Sequence, residues 1–230
     1  LSKELIIPAG ADKVVFLAAP VLAVMAVLLI WEVIPFMGYE EAGETVAMVA
    51  ANLNVGVIYF MAVSGLGTLA IMMGGWSSNN KYALLGTFRT AAQLLSYEVP
   101  LLMSLLVPVM LAGSMSLVDI VTAQEGAWFV LAAPVAALLF FITSIAEIGR
   151  APFDLLEAES EIVAGFHVEY GGMGFGMFFL AEFLHAFTIS ALTAVLFLGG
   201  WYGPFVEQVP ILGIFYFLGK TFLMYFAVVW

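Results

Sequence analysis

Apolar residues run almost unbroken through six stretches of the chain: Val14 to Ile34, Val46 to Met73, Ala91 to Gly113, Ala127 to Ile145, Met173 to Leu198 and Ile211 to Trp230. Each is close to the roughly 20 residues an α-helix needs to cross the hydrocarbon core of a bilayer. The pattern therefore predicts an all-α, polytopic transmembrane helix bundle with six spans in one integral membrane domain over residues 1–230. Polar residues collect in the connections, chiefly 74–90 and 147–172. The second connection is too long for a turn. Its Phe153, Leu155, Leu156, Ile162, Val163 and Phe166 predict short helices tucked against the bundle.

Composition agrees with a bilayer location. The chain is 64% hydrophobic and 10% charged, with mean hydropathy +1.11, whereas about a quarter of the residues in a soluble domain are charged. Six Lys and Arg against 17 Asp and Glu give a formal charge of −11, which argues against nucleic acid or an anionic lipid surface as partner. With no cysteine, an intrinsic iron–sulfur cluster, a disulfide framework and a thiolate zinc site are excluded. His167 and His185 are too few and too far apart in sequence to suggest a transition-metal site. The opening LSKELIIPAGADK lacks a signal-peptide pattern, and the closing FLMYFAVVW stops inside an apolar run. A fragment lacking both ends is the expectation.

The basic residues are distributed unevenly. Lys3, Lys13, Lys81, Arg89 and Arg150 fall on one side of the predicted bundle. The opposite connections, 37–45, 114–126 and 199–210, hold no Lys or Arg but carry Glu40, Glu41, Glu44, Asp119, Glu125 and Glu207. By the positive-inside rule, loops 74–90 and 147–172 face the cytoplasm, or the matrix in a mitochondrion. A bacterial or archaeal plasma membrane is the expected location.

Two constellations carry chemistry. Glu98, Glu182, His185 and Lys220 lie within apolar runs. A charge at mid-membrane costs about 2.5–3.5 kcal/mol on insertion scales, so such groups face the bundle interior and mark ion or proton paths. The structural alternative pairs Glu98 with Lys220, and Glu182 with His185 one turn away. Pro100 and Pro108 follow Glu98 and leave the carbonyls of Ser96 and Ser104 without helical donors, which fits either a wet cavity or ordinary kinks. The second constellation is the acidic run from Glu147 through Asp154, Glu157, Glu159 and Glu161 to Glu169, with Arg150 as its single cation. If its middle is helical, Asp154, Glu157 and Glu161 share a face and raise one another's affinity for protons. A solvated charge run is the plainer alternative. A hard-cation site is disfavoured because the glycine-punctuated loop of an EF-hand is missing. GLGTLA from Gly65 has a dinucleotide-type spacing but follows no strand, so its glycines are expected to serve close helix packing.

Two blocks, GWSSNNKYALLGTFRTAAQLLSYEVPL and AEIGRAPFDLLEAESEIVAGFHVEYGGMGFGMFFLAEF, resemble the complex I family that comprises the H subunits of NADH-quinone oxidoreductase and mitochondrial NADH dehydrogenase subunit 1, with support from IIPAGAD, IVTAQ and GKTFLM. The family has eight membrane helices, so the resemblance implies that these six are its second to seventh. It implies a chamber, shared with peripheral-arm subunits, where quinone is reduced. NADH, FMN and iron–sulfur clusters belong to partner subunits, and this chain alone binds no cofactor. Carried over by position, Arg89, Glu147, Arg150, Asp154, Glu157, Glu159 and Glu161 border that chamber, and Glu98, Glu169, Glu182 and Lys220 continue an acidic path toward other membrane subunits. The family's usual run ETNRAPFDLPEAE is changed here at Ile148, Gly149 and Leu156, so the loop backbone is expected to differ locally.

The functional expectation is a non-redox membrane subunit that links quinone reduction to proton translocation. One alternative is the equivalent subunit of an energy-converting hydrogenase or of a dehydrogenase with another donor. A proton-coupled secondary transporter is the remote one, since no pair of matching halves is visible.

Overall fold

The architecture comes from a computed structural model that describes residues 4, 6–41, 44–150, 152–153, 165–206 and 208–230. In chain order its elements are α1 (Lys13–Ile30), β1 (Met37–Glu41), β2 (Glu44–Met48), α2 (Gly56–Ser77), α3 (Lys81–Ala112), α4 (Leu117–Thr122), α5 (Phe129–Ala132), α6 (Pro134–Ile148), a 3-10 turn (Gly165–His167), α7 (Gly172–Phe197) and α8 (Leu212–Val229). Five of these helices, α1, α2, α3, α7 and α8, are long and apolar enough to cross a membrane, and α6 is a shorter apolar helix of 15 residues. The chain is a helical membrane bundle with one small hairpin. Large side chains such as Leu131, Val135, Met110, Phe215, Leu223 and Phe226 are exposed, as expected of surfaces that meet lipid rather than water.

Three boundaries depart from the pattern-based expectation. The apolar run that starts at Val46 does not start as a helix. Val46–Met48 pairs with Met37–Tyr39 in an antiparallel hairpin of register Met37↔Met48 and Tyr39↔Val46. β-branched Thr45 and Val46 favour the extended backbone, and the turn-forming Asn52 and Asn54 delay the helix until Gly56. The polar connection 74–90 is mostly helical. Only Ser78–Asn80 lies between α2 and α3, because Asn79 adopts φ +48 and the Asn80 side-chain oxygen accepts from the Tyr82 N–H at 2.9 Å. Finally, the run from Ala127 is broken at Ala133 (φ −136, ψ 65), since Pro134 pushes the residue before it out of the helical region. Of the short helices expected within 147–172, the 3-10 turn is seen, and residues 151 and 154–164 lie outside the described residues.

The chain divides into two compact units. The first comprises Leu1–Leu28, Ala62–Glu98 and Ile145–His185. Its core joins Phe16, Ala19 and Ala23 of α1 to Ala70 of α2 and to Tyr170, Phe178 and Ala181. Phe16, Ala19 and Ala23 recur at helical spacing, and the two small residues let Tyr170 reach in. Its ring stacks on Phe16 with centroids 4.0 Å apart, and its hydroxyl donates to the Phe16 carbonyl at 3.0 Å. Gly74 and Gly75 allow close approach on α2. A Cβ at Gly74 would lie 3.2 Å from Phe178 Cζ, and one at Gly75 would overlap Thr87 Oγ1. At Gly65 and Gly67, expected to serve packing, a Cβ would meet nothing within 4 Å among the described residues.

The second unit comprises Leu29–Met61, Val99–Ser144 and Ala186–Trp230. Trp201 is its largest fully buried side chain, and Gly38 of β1 leaves room for the indole. Gln124, fully buried, uses its whole hydrogen-bonding capacity. It donates to the carbonyls of Ile120 (3.1 Å) and Val195 (2.9 Å) and accepts from the N–H groups of Phe129 (3.2 Å) and Gly199 (3.0 Å). That satisfies a break between α4 and α5 and the C-terminal turn of α7, both places where helices leave backbone groups unpaired.

Candidate functional site

In the first unit, α2, α6 and α7 bring their few ionisable side chains together. Glu147 sits in the last turn of α6 with a side chain only 10% exposed. Its Oε1 accepts from Ser64 Oγ of α2 at 3.0 Å and lies 3.9 Å from His185 Nε2 of α7. Its Oε2 has no hydrogen-bond partner among the described residues. Glu98 is within electrostatic reach of this carboxylate. The carboxylate thus has a hydroxyl and an imidazole beside it.

Two residues past α6 stands Arg150. Gly149 takes φ +73, its N–H bonds to the Ala146 carbonyl at 3.3 Å, and the Arg150 N–H bonds to that of Ile145 at 3.2 Å. These are the two bonds of a Schellman turn. The family's usual Asn at this position and the Gly here are the two residues that enter the left-handed region most readily. The residue at this position ends the helix here. It turns the Arg150 guanidinium toward α7, where Nη2 lies 3.1 Å from Glu182 Oε1 and the cation sits 4.9 Å from the Phe183 ring centroid. Nη2 and Nε make no hydrogen bond among the described residues, so the contact is ionic rather than directed.

At the polar connection, Asn80 Nδ2 donates to Glu169 Oε1 at 2.6 Å. Asp12 accepts from the Val14 N–H at 3.2 Å at the start of α1, and its own N–H bonds to the Ser77 carbonyl at 3.2 Å. Burial pushes the neighbouring His167 below the usual imidazole range. It pushes the Tyr170 phenol up, against an opposing hydrogen bond to Ser77.

Lys220 is placed in the second unit. Its Nζ reaches the carbonyls of Leu198 (2.6 Å), Gly200 (3.0 Å) and Tyr202 (2.7 Å) and lies 4.8 Å from the Trp128 ring centroid. The ammonium has three donors, and all three are spent on backbone at the C-terminal end of α7, where the helix dipole favours a cation. Glu182 has Arg150 as an ionic partner, and Glu147 lies beside His185.

Of the residues singled out in the sequence, Arg89, Glu98, Glu147, Arg150, Glu169 and Glu182 belong to the first unit and Lys220 to the second. Asp154, Glu157, Glu159 and Glu161 lie outside the described residues. Ser64 and Asn80 were not singled out. A lone hydroxyl or amide has no signature until its carboxylate partner is placed. Glu32, also passed over, accepts from Tyr59 Oη at 3.3 Å. Among the described residues no group of three or more His, Cys, Asp or Glu could hold a metal ion.

The family model described as NADH dehydrogenase matches residues 1–230. The chain is 48% identical over its whole length to the NADH-quinone oxidoreductase H subunit of Geobacillus thermodenitrificans, covering 67% of that protein. It is 46% identical to the H subunits of Rhodospirillum centenum and Dehalococcoides mccartyi, covering 67% and 61% of them. It thus spans about two thirds of the length of these relatives. Identity at this level over the whole chain, together with a bundle of apolar helices that holds ionisable groups between them, shows that the chain belongs to the NADH dehydrogenase family.

Proposed function

We propose that the chain is part of the membrane subunit of a proton-translocating NADH:quinone oxidoreductase. In this role it lines part of the quinone chamber and passes protons between buried carboxylates. The observation that carries this reading is the polar chain of the first unit: Glu98, Glu147, Ser64 and His185, with Arg150 and Glu182 beside them. Groups of this kind are expensive at membrane depth and are retained where protons or ions move. The relatives are named as H subunits of NADH-quinone oxidoreductase, which supports quinone as substrate and NADH, FMN and iron–sulfur clusters as cofactors of partner subunits.

On this reading the chain performs no redox chemistry itself. Quinone reduction beside the loop acids Asp154, Glu157, Glu159 and Glu161 alters the local charge, and the change is relayed through Arg89, Glu147, Arg150 and Glu169 to Glu98 and Glu182. The apolar exposed faces support contact with lipid and with other membrane subunits, and the excess of Lys and Arg in loops 74–90 and 147–172 supports a cytoplasmic position for them.

The test uses the full assembled complex in bacterial membrane vesicles. Glu147→Gln keeps the shape and the Ser64 contact but cannot ionise. The expected result is proton uptake reduced at least tenfold, measured by quenching of a ΔpH-sensitive dye, with NADH-driven quinone reduction falling in parallel. Undiminished pumping in Glu147→Gln and in Glu182→Gln would overturn the reading.

A further inference from the structure

The two ends of the acidic loop are held by one face of α3. Gln93 spends both amide N–H donors on them, donating to the Ala146 carbonyl in the last turn of α6 at 2.8 Å and to the Phe153 carbonyl at 2.9 Å. Phe153 is the last described residue before 154–164. One turn along α3, Tyr97 meets the Phe153 ring edge-on with centroids 5.3 Å apart. Seven residues before Gln93, the backbone of Gly86 accepts the far end of the loop. A Cβ on Gly86 would stand 2.8 Å from the Gly165 carbonyl carbon and 3.0 Å from the Phe166 nitrogen, backbone atoms that cannot swing aside. Gly86, Gln93 and Tyr97 follow one another at spacings of seven and four, which places them on one stripe of the helix. Gln93 is 6% exposed and its Oε1 has no partner among the described residues, so its polar capacity is used only through the two donors.

We infer that Gln93 is a positioning residue. It holds Phe153 against α3, while Gly86 lets Gly165 pack on the same stripe of the helix. The latch stands on the geometry alone. Its consequence for quinone binding rests on the function proposed above. A Gln at this place is suited to the task because one side chain bridges the Ala146 carbonyl in the last turn of α6, whose backbone partner is the Gly149 N–H at 3.3 Å, and a loop carbonyl seven residues later.

The experiment compares the full assembled complex with variants that leave the loop acids untouched. Gln93→Met preserves length and helix propensity and removes both donors, and Gly86→Ala drives a methyl group into Gly165. Loss of two neutral hydrogen bonds amounts to roughly tenfold or more in a local opening equilibrium. Deuterium uptake at the hydrogen-bonded amides of Gly149, Arg150 and Phe153 is expected to accelerate by about that factor, with uptake in α8 unchanged. The KM for a short-chain quinone is expected to rise several-fold while kcat changes less than twofold. Should Gln93→Met fail to assemble, Gln93→Asn, which keeps both donors one methylene short, must itself show faster exchange of the same amides than the wild type. Unchanged exchange in the assembling Gln93 variant and in Gly86→Ala overturns the latch. Faster exchange with unchanged quinone KM overturns the positioning role. A wild-type complex without quinone reductase activity overturns the proposed function and leaves the exchange result standing.

Discussion

Ser64 Oγ donates to Glu147 Oε1 at 3.0 Å, tying the middle of α2 to the last turn of α6. Oε2 has no hydrogen-bond partner among the described residues, so this hydroxyl carries much of what satisfies the buried carboxyl. Ser64→Ala is expected to destabilise the protein by about 1–3 kcal/mol, the cost of stranding a buried acceptor. Ser64→Thr, which keeps the hydroxyl, is expected to recover most of that loss. Titration with a denaturing detergent, followed by helicity, checks both. An Ala variant as stable as the parent would show that the hydroxyl contributes nothing.

Gly149 ends α6 in the left-handed region, and the Arg150–Glu182 contact depends on where that stop falls. A Cβ at positive φ costs about 1 kcal/mol, less for Asn than for Ala. The expected order of thermal stability in mild detergent is therefore Gly149, then Gly149→Asn, then Gly149→Ala. The opposite order would contradict the Schellman assignment.

How much of this was legible in the sequence depends on which physical signal was asked for. Runs of apolar residues located α1, α7 and α8 to within a few residues at most of their ends, because burial in lipid is written into composition. The same signal read through Thr45 and Val46, where an apolar stretch forms a strand, and only the Asn52 and Asn54 turn signals marked the later helix start. Partner choice was less legible still. Helical spacing put Glu182 and His185 on one face, yet their partners, Arg150 and Glu147, come from 32 and 38 positions away in the sequence. The three acceptors of Lys220 are backbone carbonyls, which leave no mark on residue type.

His167 lies outside the helices that span, flanked by Phe166 and Phe175. Burial lowers its affinity for a proton in the folded chain. The unfolded chain, with an ordinary imidazole near pH 6.5, therefore binds a proton first as pH falls, and folding stability drops below about pH 6.5. Stability from this source is fully present above that value. Replacing His167 with Gln is expected to flatten the thermal-stability profile below about pH 6.5. A wild-type profile as flat as that of the variant would remove His167 from the pH response.

Lys220 distinguishes an anchor from a relay. A lysine that only passes protons could be replaced by Met at little cost in stability, because the long apolar stem still packs. Here its ammonium bonds three carbonyls around the end of α7 and faces Trp128, so Lys220→Met strands those acceptors in a part-buried place. The expected loss is about 2–4 kcal/mol, since charge-assisted bonds are worth more than neutral ones. Arg, too bulky and planar for a cradle shaped to a compact ammonium, is not expected to restore it. Lys220→Ala should instead be stabilised by added methylammonium, a compact cation that can fill the space left by the ammonium, and not by equal tetramethylammonium. Thermal melting of the detergent-solubilised subunit reads each of these. If Lys220→Met melts like the parent while pumping fails, the lysine acts as a relay and the carbonyl cradle is incidental.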